Sequence, residues 1–181
     1  MENVDNTESN IADAASSPSK LITFGIPIYI FVYVAMATWL LFDGWITNFS
    51  SLQSIWSLPE GQSSLPSHVI FSIYTILGAI LGSGLLGIIS FHRYVAIEKS
   101  FDDDHAWGFL FAPLLAGIIG ILIFAIIQSG LIVLSGQTSG TDNESSATLG
   151  YLAIGAITGY NWDVFIQKMQ ELSSNILNTK E

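Results

Sequence analysis

The run Phe109–Leu134, FLFAPLLAGIIGILIFAIIQSGLIVL, is 26 residues long and carries no charge. A helix facing water needs a polar side, and this run has none to offer. About 20 apolar residues, rising about 1.5 Å each, cross a hydrocarbon core about 30 Å thick. Lipid is the solvent that accepts such a segment. Pro113 lies near its start, and Trp107 and Phe109 suit anchoring at headgroup level.

Two further runs read the same way. Leu21–Phe42 has 22 uncharged residues and Val69–Phe91 has 23. Pro27 falls within the first turns of the former, where a missing N–H costs little. Pro66-Ser67 marks a helix start before the latter. A fourth apolar stretch, Ala147–Tyr160, is only 14 residues long and contains Gly150, Gly155 and Gly159. It either spans with local thinning of the bilayer or enters and returns. Tyr160 and Trp162 read as its interfacial anchor.

The expected fold class is all-α. It is a polytopic transmembrane helical bundle occupying residues 21–160, with three long spans (near 21–42, 69–91 and 109–134) and a shorter fourth near 147–160. Composition agrees. Mean hydropathy is +0.54, half of the residues are hydrophobic and 11% are charged, against roughly 25% in soluble proteins.

Outside the spans, residues 1–20 are polar and acidic and cannot bury a core, so a disordered cytoplasmic tail is expected there. Its acidic start, with a long apolar run after it, does not suit a secretory leader. After the fourth stretch, Phe165, Met169, Leu172 and Ile176 repeat at helical spacing, so 161–181 reads as a cytoplasmic amphipathic helix. In the outer loop 43–68, Trp45, Phe49, Leu52 and Trp56 also share one helical face, which reads as a short helix in the membrane interface.

The basic residues choose between three and four spans. They are Lys20, Arg93, Lys99, Lys168 and Lys180, five in all. With four spans, all of them and both termini fall on one side, and the opposite loops have no Lys or Arg. The positive-inside rule then places both termini in the cytoplasm. Net charge is −10, which argues against nucleic-acid binding. There is no Cys, so thiol chemistry and Cys-based metal sites are excluded.

Small residues mark candidate packing faces. Gly78 and Gly82 form one G-x-x-x-G, and Gly155 and Gly159 a second. Ser72, Ala79, Ser83, Gly87 and Ser90 line a neighbouring face of the second span, with Leu86 expected to face lipid. Small side chains let helix backbones approach closely, which matters where lipid supplies no hydrophobic drive between helices. Such faces serve either packing within one chain or contact with a second copy. Thr75, Gln128 and Ser129 are the candidates for lining a pore or for hydrogen bonding between helices.

No ionisable side chain lies deep in a span, which argues against ion-coupled transport. No catalytic constellation can be assembled, so an enzyme is not expected. Asp102-Asp103-Asp104 reads as a solvated turn. His92 and His105 sit at span ends instead of at matched depth, so neither haem nor another metal or cofactor is expected.

Leu152-Ala153-Ile154-Gly155-Ala156-Ile157-Thr158-Gly159-Tyr160-Asn161-Trp162-Asp163, leading into an amphipathic helix, resembles the last span and tail of small bacterial membrane proteins of conflict systems. These are the YEATS-associated three-span and SLOG-associated membrane families. The resemblance covers about twenty-five residues, and no functional residue is carried over from it. It implies a bacterial inner membrane and an oligomer that perforates membranes when a partner senses infection.

The functional expectation is a self-associating integral membrane protein, pore-forming or membrane-perturbing. The alternative is a structural or accessory subunit of a larger membrane complex, and a transporter or membrane enzyme ranks last. Expected partners are the lipid bilayer and either further copies of the chain or a larger membrane protein.

Overall fold

The computed structural model describes residues 20–56, 65–98, 101, 105–131 and 144–177. They form six α-helices: α1 (Lys20–Thr47), α2 (Ser50–Trp56), α3 (Ser67–His92), α4 (His105–Gln128), α5 (Glu144–Tyr160) and α6 (Trp162–Leu177). No strand occurs among the described residues. The expected tail 1–19, the acidic run Asp102–Asp104, the loop 135–143, and Lys99 and Lys180 lie outside them.

Among the described residues, three helices are long and apolar enough to cross a membrane: Thr23–Thr47, Ser67–Glu98 and Ala106–Gln128. A shorter apolar helix, Ala147–Tyr160, accompanies them. This is an all-α membrane protein. The outer faces explain why lipid is needed. Phe31 is 72% exposed, Ile46 78% and Leu114 61%, a surface that water would not tolerate.

Helix α3 is the axis of the bundle. Over its most apolar stretch 56% of the residues are buried, against 28% for α1 and 22% for α4. It packs against α1, α4 and α5, while α1 and α5 barely meet. Helix directions follow from the neighbours. Gly84 of α3 faces Val34 and Gly87 faces Ile30, so α1 runs antiparallel to α3. Gly120 faces Ile76, and Ser83 reaches Ala112, so α4 is antiparallel too. Gly78 meets Leu152 and Gly82 meets Ala156, so α5 runs parallel to α3. The apolar helices therefore alternate in direction along the chain, and α5 does not turn back on itself.

Several element ends differ from the sequence expectation. Helix α1 continues to Thr47, beyond the expected end at Phe42. The helix expected across Trp45, Phe49, Leu52 and Trp56 is broken, because Asn48 and Phe49 adopt positive φ, 52° and 63°. Trp45 therefore belongs to α1, whereas Leu52 and Trp56 belong to α2. Phe49 turns inward, is fully buried, and meets Tyr74 edge-on at 5.1 Å. Asp43 holds the corner: its carboxylate accepts bonds from the Thr47 hydroxyl (2.8 Å) and the Ser51 amide (3.4 Å).

The third span is shorter than its apolar run. Helix α4 ends at Gln128, and Gly130 at φ 75° donates its N–H to the Ile127 carbonyl at 3.0 Å. Glycine in the left-handed region is the usual helix stop, and it overrides the apolar residues that follow. Pro27 and Pro113 both lie beyond the first turn, in the second or third turn of their helices. At the other end, α3 passes directly into a six-residue π-helix, Arg93–Glu98, where a loop was expected. Phe101 then folds back against Phe91 and Phe109, with ring centroids 5.8 and 6.5 Å away.

Candidate functional site

The two G-x-x-x-G motifs face each other inside one chain. A Cβ on Gly78 would strike the Leu152 carbonyl, and one on Gly82 the Ala156 carbonyl. Reciprocally, a Cβ on Gly155 would strike the Thr75 carbonyl, and one on Gly159 the Ala79 carbonyl. Four glycines thus bring two parallel helix backbones into direct contact. Glycine Cα–H groups facing carbonyl oxygens form weak hydrogen bonds, each about 0.5–1 kcal/mol.

Ala79 shares that contact, and Ser83 and Gly87 do not. Ser83 turns to α4, where its hydroxyl donates a long bond to the Ala112 carbonyl at 3.4 Å. Gly87 turns to α1, where an added Cβ would sit 3.5 Å from Ile30 and from the Tyr33 hydroxyl. The expected single face of Ala79, Ser83 and Gly87 is spread over three neighbours. A four-residue step advances about 40° beyond a full turn, so such a stripe winds around its helix. Leu86 also departs from expectation. It is half-buried and lines a cavity instead of facing open lipid.

The candidate pore-lining residues are not brought together. Thr75 is fully buried, and its hydroxyl donates to the Phe71 carbonyl of its own helix at 2.8 Å. Gln128 lies at the end of α4 and donates to the Tyr151 hydroxyl at 3.2 Å. Ser129, in the turn after α4, donates to the Ile126 carbonyl at 2.8 Å. None of these side chains faces another across a channel.

Sequence reasoning did not single out several residues that shape the bundle. Gly84 admits Val34, Gly120 lies against the Ile76 backbone, and Gly44 admits the ring of Phe49. Tyr29 donates its hydroxyl to the Leu110 carbonyl at 3.0 Å, tying α1 to α4. No local pattern marks that bond, since Pro113 withholds its N–H from the Phe109 carbonyl and not from that of Leu110.

Among the described residues, cavities indent both ends of the bundle. The larger, about 500 Å³, lies between α3, the first half of α4 and the α5–α6 junction. The smaller, about 290 Å³, lies at the opposite end, between Gly44 and Asn48 of the α1 corner, Tyr74 of α3 and Thr148 of α5. Among the described residues no three His, Asp or Glu side chains group as metal ligands would. No family model, curated protein or solved structure matches the chain.

Proposed function

We propose that the chain acts as a structural or accessory subunit of a membrane complex, packing beside a larger membrane protein. The observation that carries this reading is closure of the small-residue faces within one chain. The glycines suited to binding a second copy already hold α3 against α5. With α3 along the axis, the described helices of one chain enclose no polar path. A pore would have to form between chains, and the outer faces of α1 and α4 are lined by Phe, Ile, Leu and Trp.

The outer face of α1 is the surface best suited to a partner. Trp39 lies in the span Thr23–Thr47 and is 59% exposed. It lies one helical turn, about 6 Å, before the charged Asp43. A Trp near a charged span end suits headgroup level, and a Trp at a protein contact is a common binding anchor. Met36 and Phe31 flank it on the same exposed face.

Native mass spectrometry of the full chain after gentle detergent extraction tests this. The expected species is one copy bound to a larger membrane protein, with binding lost in Trp39→Ala while thermal unfolding is unchanged. A ring made of this chain alone would overturn the reading in favour of an oligomeric pore. A bare monomer from freshly extracted native membranes would overturn it as well.

A further inference from the structure

The larger cavity exists because α5 is shorter than its neighbour. Helix α5 ends at Tyr160, beside Gly82, while α3 continues to His92 and on to Glu98. Beyond Tyr160 the chain turns at Asn161 and leaves as α6. The space that a longer α5 would fill remains open, about 500 Å³ between α3 and α4. That volume lies within the range of about 300–1,000 Å³ typical of ligand pockets.

The walls are graded along the membrane normal. Leu86, Leu115 and Ala116 form an apolar interior. Ser90, Trp107 and Trp162 lie nearer the end of the bundle that carries Arg93 and Lys168. Trp107 stacks on Phe111, with ring centroids 6.0 Å apart, and both rings line the cavity. Apolar depth beneath amphipathic aromatics is the profile of one bilayer leaflet, from acyl chain to headgroup. Gly108 also lines the cavity, and a Cβ there would meet no atom within 4 Å.

We infer that this cavity is a binding site for one acyl chain of a bilayer phospholipid, entered sideways from the adjacent leaflet. A water-filled cavity needs polar partners for its waters, and the interior residues supply few. The bilayer beside the opening supplies apolar chains. The site differs from the smooth outer face of α1 in enclosing its lipid on three sides, by α3, α4 and the α5–α6 junction. This inference rests on the membrane-spanning fold and not on the partner proposed above.

The test uses the full chain in vesicles of phosphatidylcholine bearing a photoreactive group on one acyl chain. After illumination, lipid adducts are mapped by peptide mass spectrometry. Adducts should concentrate on Leu86, Leu115 and Ala116, above the level on the exposed α1 residues Phe31 and Met36. In Gly108→Trp, which adds an indole at the cavity wall, the cavity adducts should be lost while those on α1 persist. Ala112→Phe, which fills the cavity from another position, should do the same, and a melting curve for each variant verifies the fold. Cavity adducts no more abundant than those on α1, or unchanged in two folded filling variants, would overturn the site.

Discussion

A methyl group placed on Gly82 would come within 2.9 Å of both the Ala156 carbonyl carbon and the Tyr160 nitrogen. Backbone cannot swing aside as a side chain does, so the helices must separate. Gly82→Ala should lower stability in detergent by about 2 kcal/mol or more. Gly87→Ala is the control. Its new Cβ meets only side-chain atoms, at 3.5 Å and beyond, and its melting temperature should stay near that of the wild type. Equal losses in the two variants would contradict the contact assignment. In the sequence these glycines look alike, because spacing shows that small residues recur but not which neighbour each one meets. Phe49 was similarly concealed. Its φ of 63° costs about 1–2 kcal/mol, and no local pattern announces it. Burial of its ring against Tyr74 offsets that cost. Phe49→Ala should therefore lose about 3–5 kcal/mol, measured by denaturant titration in micelles. A loss no greater than that of an exposed residue such as Ile46→Ala would show that the corner does not depend on the ring.

At the scale of elements, hydropathy located the three long apolar helices among the described residues, because absence of charge over twenty residues has one physical solution. Their ends were less legible. Helix α4 stops at a glycine cap while the apolar residues run on, and α3 continues as a π-helix into residues whose charge suggested a loop. Charge marks where a segment leaves lipid, and hydrogen bonding decides where a helix ends. The contact between α1 and α4 illustrates what a sequence conceals. Tyr29 and Leu110 are 81 residues apart and share one hydrogen bond. Interhelical hydrogen bonds in membranes average about 0.6 kcal/mol, so Tyr29→Phe should cost about that much. A loss of several kcal/mol, read by the same unfolding titration, would mean that the hydroxyl serves more than this one carbonyl.

At the scale of the whole molecule, the parallel pairing of α3 with α5 organises the bundle. Helix α5, Glu144–Tyr160, has 17 residues and reaches about 25 Å at about 1.5 Å per residue. That is somewhat short of a hydrocarbon core of about 30 Å. A crossing would draw on the first turn of α6, where Trp162 lines the cavity beside Ser90 and Trp107, to make up the difference. From sequence, a short glycine-rich stretch could either cross or return, and only its contacts with α3 distinguish the two. A crossing α5 places the starts of α1 and α4 at one end of the bundle with the π-helix and α6. The α2 corner and the turn after α4 lie at the other. Single cysteines report this arrangement directly, since the chain has none of its own. Ser54→Cys, Ala96→Cys, Ser129→Cys and Ser174→Cys occupy exposed positions. The decisive measurement is their labelling by a membrane-impermeant maleimide in sealed vesicles of known orientation. Ala96→Cys and Ser174→Cys should label from the same face, and Ser54→Cys and Ser129→Cys from the opposite one. Labelling of Ser174→Cys together with Ser54→Cys would mean that α5 does not cross, and would contradict the four-helix bundle.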